Sequence, residues 1–209
     1  LDAANSSDMQ DIDAKTNITT YQMTGGFSDS SENIFDTNAV KAAVATLVGR
    51  DLDVGATITG TLNTTQVNAV LAITNYTGNL TATLSGSNSD LNSLNSTTDD
   101  TVNITVTDSC TFAQAKIIED ATNSGTSTYN ISDTAANLAA AAEATRTEAV
   151  NLIATTEASV AEAIKITENI SGYNTFNISD TVANVTASNN TLLAKAGTVI
   201  TTGTANVSQ

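Results

Sequence analysis

Histidine, proline and tryptophan are missing from this chain, and cysteine occurs once. Without His there is no imidazole to act as general base or to ligate zinc. The lone Cys110 therefore has no His partner to activate it, and one cysteine excludes an internal disulfide framework. It is expected as a small, half-buried residue near the start of a helix. Aromatics make up only 4% of residues, whereas a glycosidase would be expected to add substrate-stacking rings to its carboxylates. No G-x-S-x-G, Walker or G-x-G-x-x-G pattern is present. No enzyme is expected, and no cofactor unless calcium.

Cations are scarce too. Seven Lys and Arg stand against 22 Asp and Glu, for a net charge of −15. Nucleic-acid affinity rests on basic contacts to phosphate, so that balance argues against such a partner. It equally disfavours an anionic membrane surface. No run of 18 apolar residues exists, so no transmembrane helix is expected. No signal peptide is visible and the first residue is Leu1, so the chain is expected to be processed or a fragment.

What the sequence does have is a repeat. Y-N-I-S-D-T-A-A-N-L, Tyr129 to Leu138, returns 47 positions later as F-N-I-S-D-T-V-A-N-V, Phe176 to Val185. Gly78, Gly125 and Gly172 share that offset, as do Leu84, Ile131 and Ile178, and Leu91, Leu138 and Val185. Internal periods of 20–50 residues signal solenoids, propellers or arrays. The unit divides again, because Val150 to Ala163 resembles Val102 to Ala115. The elementary coil is then about 23–24 residues.

One coil reads as follows. Val102, Ile104 and Val106 alternate with polar residues, the period of a strand with one buried face. Asp108 follows, and Phe112, Ala115 and Ile118 recur at helical spacing. Asp133 and Asp180 hold the same place and are read as helix N-caps. Gly125 and Gly172 fall where a helix would end, a position that favours positive φ. A strand of about six residues spans roughly 20 Å, and a helix of about eleven roughly 16 Å. The two fit side by side in one coil. Repeated strand–helix–strand connections imply parallel strands with right-handed crossovers. The expected fold is an α/β solenoid with one parallel sheet and one helix layer. Its core lies between neighbouring coils and needs no large aromatics.

Residues 1–38 read as an irregular N-terminal arm or cap, and 39–209 as the solenoid array with an incomplete last coil. Asn38 to Val48 is the first expected helix. Strands follow at 57–62, 79–85, 102–107, 127–132, 150–155, 174–179 and 198–202. Helices are expected at 64–74, 110–121, 134–147, 158–169 and 182–195, with a poorer one at 88–96. The chain stops at Gln209 just where another helix should begin, leaving Val199 and Ile200 uncovered. An open strand edge there invites another chain, most simply a further copy of this one.

Thirteen Asn residues stand in N-x-S/T sequons: Asn5, Asn17, Asn63, Asn75, Asn79, Asn95, Asn103, Asn130, Asn169, Asn177, Asn184, Asn189 and Asn206. About six would arise by chance at this composition, so the excess suggests surface glycosylation. Strand alternation produces the same pattern without glycans, since Asn and Ser/Thr at i and i+2 share an exposed face. Asn103, Asn130, Asn151 and Asn177 are expected to stack on successive strands. Thr57 with Thr59, Thr81 with Thr83, and Thr105 with Thr107 would form a flat polar face suited to ice or carbohydrate. D-L-D-V-G at 51–55 and D-I-D-A-K-T-N at 11–17 carry oxygen ligands at alternate positions, as calcium loops do. Asp51, Asp53, Asp11 and Asp13 are the candidate calcium ligands, although neither segment completes an EF-hand loop.

The pattern A-x-x-I-x-x-x-T-N-S-G-x-x-x-Y-x-I-S-D-T-A-A-N-L, Ala115 to Leu138, resembles repeats in very large secreted, adhesin-like or surface-layer-like proteins of aquatic bacteria. The resemblance covers residues 100–209 well and 56–99 loosely. It implies an extracellular structural or adhesive role and carries no catalytic residues. The leading expectation is a cell-surface repeat protein that joins copies of itself head to tail as a filament, surface layer or adhesin stalk. The alternative is a binding module using the Thr/Asn-rich sheet face.

Overall fold

The computed structural model describes residues 4–15, 22–49, 51, 53–73, 76–96, 99–120, 123–168 and 172–204. The chain divides into two compact units, Leu1–Thr107 with Asp120–Ser127, and Asp108–Glu119 with Thr128–Gln209. In chain order the elements begin with α1 (Ser6–Lys15), β1 (Phe27–Ser30), α2 (Ser31–Ile34), β2 (Phe35–Asp36), β3 (Ala39–Val40) and α3 (Ala42–Val48). Next come β4 (Ala56–Leu62), α4 (Thr64–Leu71), β5 (Leu80–Gly86), α5 (Asn88–Leu91), β6 (Thr101–Cys110) and α6 (Phe112–Asp120). β7 (Ser127–Asp133), α7 (Ala135–Ala140), α8 (Glu143–Glu148), β8 (Asn151–Ala154) and α9 (Val160–Thr167) follow. The last are β9 (Tyr173–Thr175), β10 (Ile178–Thr181), α10 (Val182–Ala187), α11 (Asn190–Leu193) and β11 (Val199–Thr202).

The fold is α/β. Seven strands form a parallel sheet in the order β1-β4-β5-β6-β7-β8-β9, alternating with helices along the chain. β10 and β11 make a separate parallel pair. Neighbouring strands follow one another in sequence almost throughout, as strand–helix–strand crossovers require.

The strands form where the sequence alternates. In the first unit Ile58 and Leu62, then Leu80, Ala82 and Leu84, then Val102, Ile104 and Val106 all point inward and are buried. Val67 and Val70 of α4 lie in the same core. In the second unit Ile131, Leu138, Leu152, Ala163, Ile166 and Ile178 are buried completely. Val160, Ala163 and Ile166 recur every third residue and so form the buried stripe of α9. Each such Leu, Ile or Val contributes about 1.5–3 kcal/mol.

Several expectations change. Regular structure starts before residue 38, because Phe27–Ser30 joins the sheet beside β4. The helix expected from Asn38 starts at Ala42. Ala39–Val40 instead pairs antiparallel with Phe35–Asp36 across a turn whose Thr37 has φ of 58°. The stretch 88–96 keeps a single helical turn. Helix 134–147 is broken at Ala141 and Ala142, both extended, and nothing in the local sequence accounts for that break. Helix 182–195 breaks at Ser188, because Asn189 caps a new turn. The strand expected at 174–179 is two strands separated by the buried Phe176. The step between paired residues is not a constant 23–24. Ala56 pairs with Leu80 and Thr81 with Thr101, steps of 24 and 20.

The three equally spaced glycines have a different purpose from the one expected. None has positive φ. A Cβ at Gly78 would stand 1.9 Å from Val54 O, at Gly125 2.1 Å from Val102 O, and at Gly172 2.5 Å from Val150 O. Each glycine lets the chain pass directly over a backbone carbonyl some twenty residues earlier.

Candidate functional site

The repeated Asp residues tie neighbouring strand–helix units together. In the second unit, Asp133 Oδ2 accepts from Phe112 N–H at 3.0 Å, the first amide of α6. Its Oδ1 accepts from Thr134 N–H at 2.7 Å and Asn137 Nδ2 at 2.8 Å. Asp180 repeats this arrangement with Val160 N–H, the first amide of α9, at 2.9 Å, and with Thr181 N–H and Asn184 Nδ2. In the first unit, Asp29 does the same with Ser6 N–H at 2.9 Å, Ser30 N–H and Asn33 Nδ2. At α7 the hydroxyl of Thr156 replaces the carboxylate and accepts from Ala135 N–H at 3.0 Å.

This corrects the capping assignment. Asp133 and Asp180 do not cap their own helices; Thr134 and Thr181 do, by accepting from Asn137 N–H and Asn184 N–H. Each Asp accepts from the first amide of the helix that precedes its own strand. Asp108 lies inside β6, four residues before α6 begins at Phe112. The motif is S-D-[ST]-x-x-N, present at 28–33, 132–137 and 179–184. Its first copy lies in the stretch expected to be irregular, and the shared S-D and Asn spacing is the signal that points to it.

Charge belongs in these positions. Free N–H groups at a helix start favour an anion. Burial pushes the Asp133 carboxyl up, but the hydrogen bonds from Asn137, Thr134 and Phe112 outweigh it and hold the pKa below the usual range. Asp29 is lowered in the same way against its burial, by Ser6, Asn33 and Ser30. At Asp180 the Val160 N–H is the largest influence, followed by Asn184 and Thr181, and the pKa is again lowered.

The second feature is the outer face of the first unit's sheet. Ser28, Thr57, Thr81 and Thr101 stand in register across β1, β4, β5 and β6. Thr61, Thr83 and Asn103 form the next row, with Ser85 and Thr105 beyond. Thr57, Thr59, Thr61, Thr81, Thr83, Asn103, Thr105 and Thr107 are exposed. A bulge between Ile58 and Thr61, at Gly60 with φ of 93°, shifts the rows by two residues. The result is a hydroxyl lattice of roughly 4.8 Å across strands and about 6.7 Å along them.

The expected Asn stack is shorter. Asn151 Nδ2 donates to Asn130 Oδ1 at 2.7 Å. The next residue in that row is Tyr173, not Asn177. Asn103 instead accepts from Thr126 N–H and Oγ1.

Of the calcium candidates, Asp51 and Asp53 lie together at a cavity of about 480 Å³ also lined by Met23, Gly55 and Asn79. Asp51 is buried and accepts from Met23 N–H, whereas Asp53 is exposed. Burial raises the Asp51 pKa, Met23 N–H opposes this, and neighbouring Asp53 raises it further. Asp11 and Asp13 both belong to α1. Asp11 is exposed, and the Asp13 side chain lies outside the described residues. Among the described residues no three His, Cys, Asp or Glu side chains converge on a metal position.

Asn17, Asn75, Asn169 and Asn206 lie outside the described residues. Of the remaining sequons, Asn5, Asn63, Asn79, Asn95, Asn103, Asn177, Asn184 and Asn189 are exposed, and Asn130 is half-buried. Several have structural duties. Asn63 and Asn189 are N-caps of α4 and α11, Asn5 accepts from Ser7 and Asp8 N–H, and Asn184 donates to Asp180. Helix capping, besides strand alternation, thus explains part of the sequon excess. No described helix is long and apolar enough to cross a membrane.

No protein-family model, curated protein or solved structure matches this chain.

Proposed function

We propose that this chain is an extracellular structural repeat protein whose strand–helix units form a solenoid and associate with further copies, as in a filament, surface layer or adhesin stalk. The observation that carries the reading is β11. All four of its side chains are exposed, including Val199 at 37% and Ile200 at 42%, and among the described residues it pairs on one side only. An exposed parallel edge with apolar side chains favours addition of another strand. The Asp interlock supports a structural role, because it ties each coil to the next by charge-assisted hydrogen bonds. The resemblance of Ala115 to Leu138 to surface-protein repeats points the same way, and glycans on exposed sequons such as Asn79 and Asn95 suit an extracellular surface. A strand edge meeting a different surface of the next copy is heterologous, and propagates unless the rotation closes a ring.

A charge of −15 on each copy opposes association until salt screens it. The test is sedimentation and negative-stain imaging of the chain and of a V199K/I200K variant, in rising salt and with calcium. Salt-dependent oligomers in the parent and monomers in the variant are expected. A parent that stays monomeric at high concentration in every condition sinks the reading.

A second reading rests on the Thr rows, whose in-register hydroxyls suit ice or an extended glycan. Thermal hysteresis or glycan binding by the monomer, lost on Thr81→Lys, would favour it over assembly.

A further inference from the structure

One coil of the first unit breaks the interlock, and it does so at a cavity. The capped amide always lies two residues beyond a strand pair. Ala4 pairs with Phe27, and Ser6 meets Asp29. Ala158 pairs with Ile178, and Val160 meets Asp180. Leu62 pairs with Leu84 in the same way, so Thr64, the first residue of α4, should meet residue 86. Residue 86 is glycine. No carboxylate stands there to accept the Thr64 N–H.

Neither the backbone nor crowding demands that glycine. Gly86 does not have positive φ. A Cβ there would meet Thr64 Oγ1 at 3.4 Å and Leu91 at 3.7 Å, ordinary contact distances. In place of the side chain is a cavity of about 250 Å³ lined by Thr64, Ser85, Gly86, Asp90 and Ser93 among others. Thr64 is 4% exposed and its Oγ1, which faces the empty position, has no hydrogen-bond partner. A buried hydroxyl left unpaired is costly, so a group that enters and pairs with it is favoured.

The chemistry of the missing group follows from a second exchange. Where the other copies place Asn33, Asn137 and Asn184, four residues past the Asp, this coil has Asp90. In those copies the Asn amide donates to the carboxylate. Here an acceptor replaces that donor, so an incoming anion would face Asp90 across the cavity. A cation would face the positive end of α4. A hydroxyl satisfies both sides: it accepts from Thr64 N–H and donates to the Asp90 carboxylate. Ser85 adds a group that can donate or accept, and Ser93, whose hydroxyl donates to Asp90 O at 2.8 Å, can still accept. The cavity also opens past the carboxyl end of β5, the usual ligand position in parallel sheets.

We propose that this cavity binds a neutral saccharide, one ring of which inserts a hydroxyl into the place left by the missing aspartate. The site shares only Ser85 with the Thr rows and does not depend on the assembly reading. The test is titration of the whole chain with neutral mono- and oligosaccharides, followed by NMR and calorimetry, with acetate and phosphate as competing probes. The parent should bind a neutral sugar, with shifts centred on Thr64 and Asp90. G86D/D90N, which rebuilds the motif of the other coils, should weaken binding at least tenfold without lowering the unfolding temperature. Gly86→Ala, which fills the space with a methyl, should weaken binding as well and serves if the double variant folds poorly. No neutral sugar bound by the parent, acetate bound in preference to sugar, or sugar affinity unchanged in both variants would each overturn the proposal. So would binding lost only on Thr81→Lys, which would move the ligand to the sheet face.

Discussion

A methyl group on residue 125 would stand 2.1 Å from a backbone carbonyl, a separation that side-chain movement cannot relieve. Gly125→Ala is therefore expected to destabilise by about 2 kcal/mol or more, in the range of overpacked cores, as read from urea unfolding. Gly86→Ala, with its nearest contact at 3.4 Å, should change stability far less. Asp133 differs from an ordinary cap because it serves Phe112 and Thr134 together. Asp133→Ala should cost about 1 kcal/mol, the common value for a lost N-cap, with solvent exposure keeping it from more. At Asp51 the sign reverses. Burial first and Asp53 next raise its pKa, so the charged pair is unfavourable at neutral pH. Asp53→Asn should stabilise by about a few tenths of a kcal/mol, for a charge as exposed as Asp53, and so raise the unfolding temperature slightly. A lower temperature would show that Asp53 has a stabilising partner.

Elements were legible where a period ran long enough to be unambiguous. A-T-I-T-G-T-L and T-V-N-I-T-V alternate strictly, and both are strands with the expected faces buried. F-S-D-S carries one apolar residue, so β1 offered almost no periodicity; tertiary pairing with β4 decides it. The helix break at Ala141 is invisible to a stripe of alanines, which suits a helix throughout, whereas Asn189, the cap that starts a new turn after Ser188, is a signal the sequence did carry. Of the interlock, the sequence shows the repeated Asp but not which helix it serves. That depends on the register between strands, and a residue's neighbour some twenty positions away is not encoded locally. Hydrogen exchange separates the two assignments at this scale. In Asp133→Ala the Phe112 amide should exchange faster while Val160, capped by Asp180, keeps its protection. Acceleration confined to Asn137, with Phe112 unchanged, would mean that Asp133 caps its own helix after all.

For the whole molecule, two electrostatic effects run in opposite directions with pH. At neutral pH the −15 charge disfavours the compact state through self-repulsion, which salt screens. Lowering the pH toward the isoelectric point near 4.1 removes that repulsion. Against this stand Asp29, Asp133 and Asp180, whose folded pKa values are held below the usual 3.8. A depressed folded pKa means that the unfolded chain takes up protons first. The stability contributed by these groups is therefore present above the unfolded value. It is lost as pH falls through the lowered folded values. Unfolding temperature should hold or rise from pH 7 to about 4.5 in low salt, then fall steeply below about 4. Added salt should flatten the first limb more than the second, because hydrogen-bonded pairs at helix ends are screened less than separated surface charges. The variant D29N/D133N/D180N keeps an oxygen at each position but cannot titrate there. It should be less stable at pH 7 and should lose less on acidification, so that the two curves approach each other below pH 4. Parallel curves down to pH 3 would place the acid sensitivity in other carboxylates and remove the interlock from the account of stability.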